Sequence, residues 1–136
     1  MTHFKGTYLG EKKLSLSHLE SDTTIFTAAP KDNQGDGSSF SPTDLFASSL
    51  GACQLTVMSI YAERSGIALS GSYFEAEKIM SDVPRRVKEI KIVTHLPIAL
   101  SEEERRKLET IADTCPVRRS LNPEIVVTET FVYDVV

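Results

Sequence analysis

The segment from residue 41 to residue 65 constrains the fold of this chain most, because it predicts a helix that is apolar on nearly every side. Ser41 can act as an N-cap, Pro42 suits the first helical position, Asp44 can complete a capping box, and Gly66 is a good stop. A helix without a polar face is buried at the centre of a fold. In a chain of 136 residues, burial on every side suggests that a partner subunit covers part of this helix. Its apolar residues are Leu45, Phe46, Leu50, Ala52, Cys53, Leu55, Val57, Met58, Ile60 and Tyr61.

Strand patterns flank this helix on both sides in the sequence. Residues 3–28 alternate between apolar and polar positions and are rich in branched and aromatic side chains. Two further runs, 71–80 and 86–96, are separated by a short turn, and a last run covers 125–133. These patterns are typical of β-strands. One face of the second run is expected to carry Ile90, Ile92 and Leu96.

The remaining segments predict helices between the last two strands. Ser101 and Glu104 form a second capping-box pattern, and a short helix is expected over 116–121. The strands cluster and do not alternate one by one with helices. This order predicts an α+β fold with antiparallel pairing, in a single domain spanning residues 1–136.

Charge and hydropathy narrow the classes of partner. The formal net charge is -4, whereas nucleic-acid binders usually carry a basic face, so no nucleic-acid partner is expected. No run of 18 or more apolar residues occurs, so no membrane span or membrane partner is expected. The first ten residues lack a signal-peptide pattern, which makes the cytoplasm the expected compartment. Two cysteines in that compartment are expected to be free, redox-active or metal-linked.

Cys115 has the stronger local argument for reactivity. It precedes Pro116, which favours the first turn of a helix and places the cysteine at the N-cap. Backbone N–H groups of Val117 and Arg118 would then point at its sulfur, where the helix dipole favours a thiolate. Arg118 and Arg119 add positive charge, so Cys115 is expected to be the easier thiolate. The alternative is a small buried residue at a helix start.

Cys53 lies inside the apolar helix, where a free cysteine often does no more than pack. Burial without a positive partner would raise its pKa and make it inert. Cys53 and Cys115 are too far apart in the sequence for a C-x-x-C motif. If the fold brings them together, a peroxide could oxidise one to sulfenic acid, the other could condense with it to a disulfide, and an external thiol could restore both.

The sequence offers weaker support for other kinds of functional site. His3, His18 and His95 have no ligand spacing with a cysteine, so no metal is expected. The pattern Asp32-x-Gln34-x-Asp36-Gly37 resembles the start of a calcium loop, but Thr43 occupies the place of the bidentate Glu. No phosphate loop or nucleophile elbow is present, and no cofactor is expected.

Two segments resemble the OsmC/Ohr family. Ser41-Pro42-Thr43-Asp44-Leu45-Phe46-Ala47 with Leu50-Gly51-Ala52-Cys53 is similar to the pattern around the family's first cysteine, and Cys115-Pro116-Val117-Arg118-Arg119-Ser120-Leu121 to that around the second. The resemblance implies sheets wrapped around central helices in an intertwined homodimer, with active sites at the subunit interface. It implies that Cys53 attacks an organic hydroperoxide and that Cys115 resolves it.

Two departures point to the broader OsmC-like branch. The peroxidatic branches carry Glu just after the motif's proline, whereas this chain has Thr43 there, with Asp44 next. They also use an Arg from the N-terminal strands, and this chain has none before Arg64. Asp44 is expected to cap the helix, and Thr43, Asp44 and Arg118 are candidate supporting residues. The first hypothesis is a thiol peroxidase acting in oxidative-stress defence with an external thiol reductant. The alternative is a non-peroxidatic protein that binds a small apolar ligand or has another thiol specificity.

Overall fold

The computed structural model describes residues 1–136, which form two compact units, Met1–Phe46 and Ala47–Val136. The backbone passes from one unit to the other inside the first long helix. The interpretation of residues 1–136 as a single domain stays a prediction.

The first unit is built on a three-stranded antiparallel sheet in the order β1-β2-β3. The strands are β1 (Phe4–Gly10), β2 (Lys13–His18) and β3 (Thr23–Ala28), followed by a single 3-10 turn at Lys31–Asn33. The turn between β1 and β2 requires left-handed backbone at Gly10, Glu11 and Lys12, with φ of 91°, 54° and 60°. Glycine adopts this conformation without steric cost. Lys13 Nζ lies 2.9 Å from Asp36 Oδ2, and this ion pair joins the loop after β3 to strand β2.

Both predicted capping boxes are confirmed. At the start of α1 (Pro42–Arg64), the N–H of Asp44 donates to Ser41 Oγ at 3.1 Å and the N–H of Ser41 donates to Asp44 Oδ2 at 2.8 Å. Ser101 and Glu104 make the same reciprocal pair at the start of α2 (Glu102–Ala112). Such bonds satisfy N–H groups that the first helical turn leaves without partners.

The second unit contains a three-stranded sheet whose pairing differs in part from the prediction. Strands β4 (Tyr73–Asp82) and β5 (Arg85–Pro97) pair antiparallel, as expected. Strand β6 (Val126–Val135) pairs with β5 in parallel, so the prediction of antiparallel pairing was wrong for this pair. The chain between them includes α2 and α3 (Pro116–Ser120), and a crossover of that length returns the chain to the same end of the sheet.

Helix α1 packs on this sheet and on α2 through two buried clusters. In one, Leu50 packs with Ile90, Ile92 and Cys115; in the other, Met58 packs with Leu96 and Leu108. Ile90, Ile92 and Leu96 lie on one face of β5, as predicted. The fold is therefore α+β, with the second half of the chain organised around the contact between α1 and the sheet.

The single chain buries only one side of α1. Leu50, Gln54 and Met58 are buried, whereas Ala52 and Ile60 are exposed. By length and composition α1 could also cross a membrane, but its packing on β5 and α2 is that of a core helix. That a partner subunit covers the exposed apolar side of α1 stays a prediction.

Candidate functional site

Cys115 occupies the predicted position at the N-cap of α3. The backbone N–H of Arg118 donates to Cys115 Sγ at 3.2 Å, and Pro116 is the first helical residue. The Cys115 side chain is completely buried, against the cluster that contains Leu50 and Ile90. The local sequence argument therefore placed this sulfur correctly at a helix start.

The ionisation of Cys115 is nevertheless opposite to the expectation. Burial raises the pKa of the Cys115 thiol above its ordinary value of 9.0, and the hydrogen bond and charge interaction with Cys53 raise it further. The backbone N–H groups of Arg118 and Val117 lower the pKa, but not enough to reverse the shift. The expectation that Cys115 is the easier thiolate was wrong, because desolvation outweighs two hydrogen bonds at a five-residue helix.

Cys53 lies on α1 next to Cys115. It is partly exposed, packs against the cluster that contains Cys115, and interacts with the Cys115 thiol. Both cysteines are free thiols. The fold thus brings together two thiols that are distant in the sequence, one accessible from outside and one enclosed.

A series of polar contacts through β6 connects the two helices that carry the thiols. On α1, Gln54 donates from Nε2 to Glu129 Oε1 on β6 at 2.6 Å. The same carboxylate oxygen lies 3.8 Å from Nε of Arg118 on α3. Arg118 in turn follows Cys115, and Gln54 follows Cys53. The Glu129 carboxylate thereby connects the backbone segment that holds Cys53 with the one that holds Cys115.

Sequence reasoning missed Gln54 and Glu129. Gln54 is almost fully buried, and its Oε1 has no hydrogen-bond partner. Burying an amide oxygen without a hydrogen-bond partner costs free energy of folding. The fold therefore tolerates a destabilising polar group next to the thiols. The available signal was a polar residue in the middle of an otherwise apolar helix, directly after Cys53. Glu129 lies on the less exposed face of β6 with Val127 and Phe131, so the available signal was an acidic residue among apolar ones on that face.

Thr43 and Asp44 lie in the first turn of α1, within residues 1–46. Asp44 caps the helix as predicted, and Thr43 Oγ1 lies 3.2 Å from Ser41 Oγ. The Arg118 side chain contacts Glu129, while its backbone N–H contacts Cys115. Of the three candidate supporting residues, Arg118 is therefore the one whose contact with a cysteine is defined.

The histidines have partners of other kinds. His95 stacks on Tyr73 with ring centroids 4.4 Å apart, and its Nδ1 lies 2.9 Å from Asp134 Oδ1. His18 contacts the hydroxyl of Ser21 at 2.7 Å. No group of three His, Cys, Asp or Glu side chains is arranged to hold a metal ion. The chemistry available at the site is that of the thiol pair and its polar neighbours.

Comparison with known proteins adds family information to this geometry. Residues 35–130 match the family model described as OsmC-like protein. No curated protein sequence matches the chain. A crystal structure from Psychrobacter arcticus 273-4, provisionally described as an osmotic stress induced and detoxification response protein, is 40% identical over 96% of both chains, with a TM-score of 0.92.

Two more distant structures share the fold. An organic hydroperoxide resistance protein OsmC from Legionella pneumophila is 20% identical, with a TM-score of 0.76 over 97% of this chain and 96% of that one. An organic hydroperoxide resistance protein from Vibrio cholerae, with captopril bound in one of its active sites, is 21% identical, with a TM-score of 0.73 over 95% of this chain and 90% of that one.

Proposed function

This chain belongs to the OsmC-like protein family, and from that premise we propose that it is a thiol peroxidase that reduces organic hydroperoxides in oxidative-stress defence. The observation that carries the proposal is the adjacent pair of free thiols, Cys53 and Cys115. The names of the Legionella and Vibrio proteins support the same substrate class. We place the reaction in the cytoplasm of the cell, in a homodimer served by an external thiol reductant.

The different environments of the two thiols favour a division of roles. Cys53 is partly exposed, so a hydroperoxide can reach it. Cys115 is enclosed and its pKa is raised, so at neutral pH it stays protonated until a reaction partner is adjacent. Because the thiolate is the attacking form and needs access to substrate, Cys53 is assigned as the attacking cysteine and Cys115 as the resolving one.

The proposed cycle has three steps. The Cys53 thiolate attacks the terminal peroxide oxygen; an S–O bond forms, the O–O bond breaks, and the alkoxide takes a proton and leaves as the alcohol. The Cys115 sulfur then attacks the resulting sulfenic acid; an S–S bond forms, and hydroxide leaves with the Cys115 proton as water. An external dithiol reduces the disulfide and is itself oxidised.

Turnover of cumene hydroperoxide with dithiothreitol tests this proposal. We expect Cys53→Ser to reduce the rate to that of the uncatalysed reaction. Cys115→Ser should leave the first oxidation intact, so that a sulfenic acid at Cys53 can be trapped and identified by mass spectrometry. Equal steady-state rates for the wild type and Cys53→Ser would overturn the proposal.

A second candidate function is favoured by the two departures from the peroxidatic pattern. Thr43 stands where those branches carry Glu, and no Arg precedes Arg64. These differences are compatible with a non-peroxidatic protein that binds a small apolar ligand or acts on another thiol substrate. The absence of hydroperoxide turnover, together with a ligand that protects Cys53 from alkylation, would favour this alternative.

A further inference from the structure

The carboxylate of Glu129 on β6 contacts the two segments of the chain that hold the cysteines. Gln54, which directly follows Cys53 on α1, donates from Nε2 to Glu129 Oε1 at 2.6 Å. Nε of Arg118 on α3 lies 3.8 Å from the same oxygen. The backbone N–H of Arg118 in turn donates to Cys115 Sγ at 3.2 Å. One carboxylate oxygen therefore lies between the residue next to Cys53 and the residue that contacts the Cys115 sulfur.

Helix α3, which has Cys115 at its N-cap, depends on its surroundings for its position. It has five residues, and none of them is buried. A helix this short is not stable by itself, so contacts with the rest of the fold hold it in place. Those contacts include the apolar packing of Val117 and Leu121 and the side chain of Arg118 beside Glu129. The segment that carries Cys115 is therefore expected to shift when the contact with Glu129 is removed.

Buried polar atoms without hydrogen-bond partners are concentrated at this place. Three side-chain atoms of this kind occur in the structure, and two of them are Gln54 Oε1 and Arg118 Nε. Gln54 is only 2% exposed, and an apolar side chain at its position would avoid the cost of burying an unpaired oxygen. Stability alone therefore does not explain a glutamine here. A role in holding the cysteines in place does explain it, because a polar side chain is needed to bind the Glu129 carboxylate.

We infer that Glu129 is a positioning residue for the reaction between the two thiols: it holds α1 and α3 so that the Cys115 sulfur can reach the sulfur of Cys53. The two sulfurs must approach to about 2.05 Å, with their Cα atoms within roughly 7 Å, for a disulfide to form. A displacement of about 1 Å can slow such an aligned step by about 100-fold. The first attack on an external substrate needs only Cys53, which is partly exposed, so it should not depend on Glu129.

An aromatic disulfide, dithiobis(nitrobenzoate), tests the reaction between the thiols without any peroxide. The Cys53 thiolate attacks one sulfur of the reagent; a mixed disulfide forms and one thionitrobenzoate leaves. The Cys115 thiol then gives its proton to solvent and attacks the Cys53 sulfur; the intramolecular disulfide forms and the second thionitrobenzoate leaves. The absorbance of thionitrobenzoate follows both steps, and the rate of the second step is independent of the reagent concentration.

The wild-type protein should release two equivalents in two phases, and Cys115→Ser should release only the first. Glu129→Ala should leave the first phase unchanged and slow the second by about tenfold, because both contacts of the carboxylate are lost. Glu129→Gln should slow the second phase by about threefold, since the glutamine oxygen still accepts from Gln54 whereas the attraction to Arg118 is lost. The glutamine variant also keeps the test available if Glu129→Ala does not fold.

Two control variants separate positioning from other effects of a substitution. Ser101→Ala removes the N-cap of α2 and so lowers stability without touching the contacts of Glu129. Glu124→Ala removes a carboxylate that lies 3.7 Å from Arg86 in an exposed pair. Both controls should show the wild-type rates in both phases.

An unchanged second phase in both Glu129 variants, or an equal slowing in Ser101→Ala, would overturn the inference. A wild-type protein that releases only one equivalent would overturn it as well, since Cys115 would then not reach the sulfur of Cys53.

Hydroperoxide turnover separates this inference from the proposed function, on which its consequence for catalysis rests. Slower resolution in Glu129→Ala prolongs the life of the Cys53 sulfenic acid, so excess cumene hydroperoxide should convert more of it to sulfinic acid than in the wild type, as measured by mass spectrometry. Two-phase release that depends on Glu129, without turnover of any hydroperoxide, would support the positioning role and contradict the peroxidase. Turnover with the same rate and the same yield of sulfinic acid in the wild type and Glu129→Ala would contradict the positioning role alone.

Discussion

At the scale of single residues, the two cysteines differ through their surroundings. Cys53 is partly exposed on α1, whereas Cys115 is enclosed at the start of α3. Both sit beside residues of the series of polar contacts, Gln54, Glu129 and Arg118. Glu129 contacts both Gln54 and Arg118. A substitution of Glu129 should therefore disturb all of these polar contacts at once.

Glu129→Gln is expected to lower the free energy of unfolding of the reduced protein by about 1 kcal/mol. The glutamine oxygen can still accept the hydrogen bond from Gln54, but the charge attraction to Arg118 is lost, and both groups are partly shielded from water. Urea titration measures the effect. The matched control is Glu124→Gln, which removes an exposed contact with Arg86 at 3.7 Å and should change stability by less than about 0.5 kcal/mol. Equal changes in the two variants would contradict this prediction.

Stability is expected to fall as the pH rises above about 9. Folding raises the pKa of Cys115 from its ordinary value of 9.0 and that of Tyr133 from 10.0, through burial and, for Tyr133, the hydrogen bond to Glu109. The unfolded chain therefore loses these protons first. Their contribution is complete below the unfolded pKa values and is lost as the pH rises towards the folded ones.

Urea unfolding of the reduced protein between about pH 8 and pH 11 measures this dependence. Cys115→Ala should flatten the curve where it begins to fall, and Tyr133→Phe should flatten it at higher pH. A Cys115→Ala protein with the wild-type pH dependence would show that Cys115 is not the group responsible at the lower end of this range.

At the scale of elements, α1 is fitted closely to the sheet at Gly51. A Cβ atom at this position would overlap the ring of Phe74 on β4. Gly51 lies two residues before Cys53, so the close approach of helix and sheet fixes the depth of the Cys53 thiol. This explains a glycine in the middle of a long helix, where its intrinsic propensity is unfavourable.

Gly51→Ala is therefore expected to destabilise the protein by about 1–2 kcal/mol, although alanine is the better helix former by about 1 kcal/mol. The overlap with Phe74 forces the helix or the ring to move. Thermal or urea unfolding measures the sign. Ser59→Ala, on the exposed side of the same helix, serves as control and should be neutral or slightly stabilising. A more stable Gly51→Ala protein would contradict the close fit.

At the scale of the whole molecule, apolar side chains of the first unit are left without cover in a single chain. Phe4 is 70% exposed and Ile25 is 45% exposed, and both line a cleft of about 480 Å³ on the β1-β2-β3 sheet. Large exposed apolar patches commonly mark protein interfaces. Together with the exposed side of α1, this surface supports the proposed homodimer.

Ile25→Glu is expected to shift the protein from dimer towards monomer, because a carboxylate would have to be desolvated in the interface. Thr24→Glu is the control, since neighbouring strand residues point to opposite faces of the sheet. Sedimentation velocity over a range of concentrations measures the distribution. A wild-type protein that is monomeric at all concentrations, or a dimer unaffected by Ile25→Glu, would contradict the prediction.

The sequence alone determined the features that depend on near neighbours. The two capping boxes, the stop at Gly66, the N-cap position of Cys115 and the inward face of β5 all follow from spacings of two to four residues. Helix and strand geometry translate such spacings directly into structure. The family resemblance added the pairing of Cys53 with Cys115, which no local pattern contains.

Only the tertiary structure decided the parallel pairing of β6, the polar contacts through Glu129 and the direction of the Cys115 pKa shift. Each depends on residues distant in the sequence. A helix N-terminus favours a thiolate wherever it occurs, but the cost of burying that charge is set by what packs around the sulfur. For Cys115 the surroundings are Cys53, Leu50 and Ile90, and the balance between attraction and desolvation could be read only once they were in place.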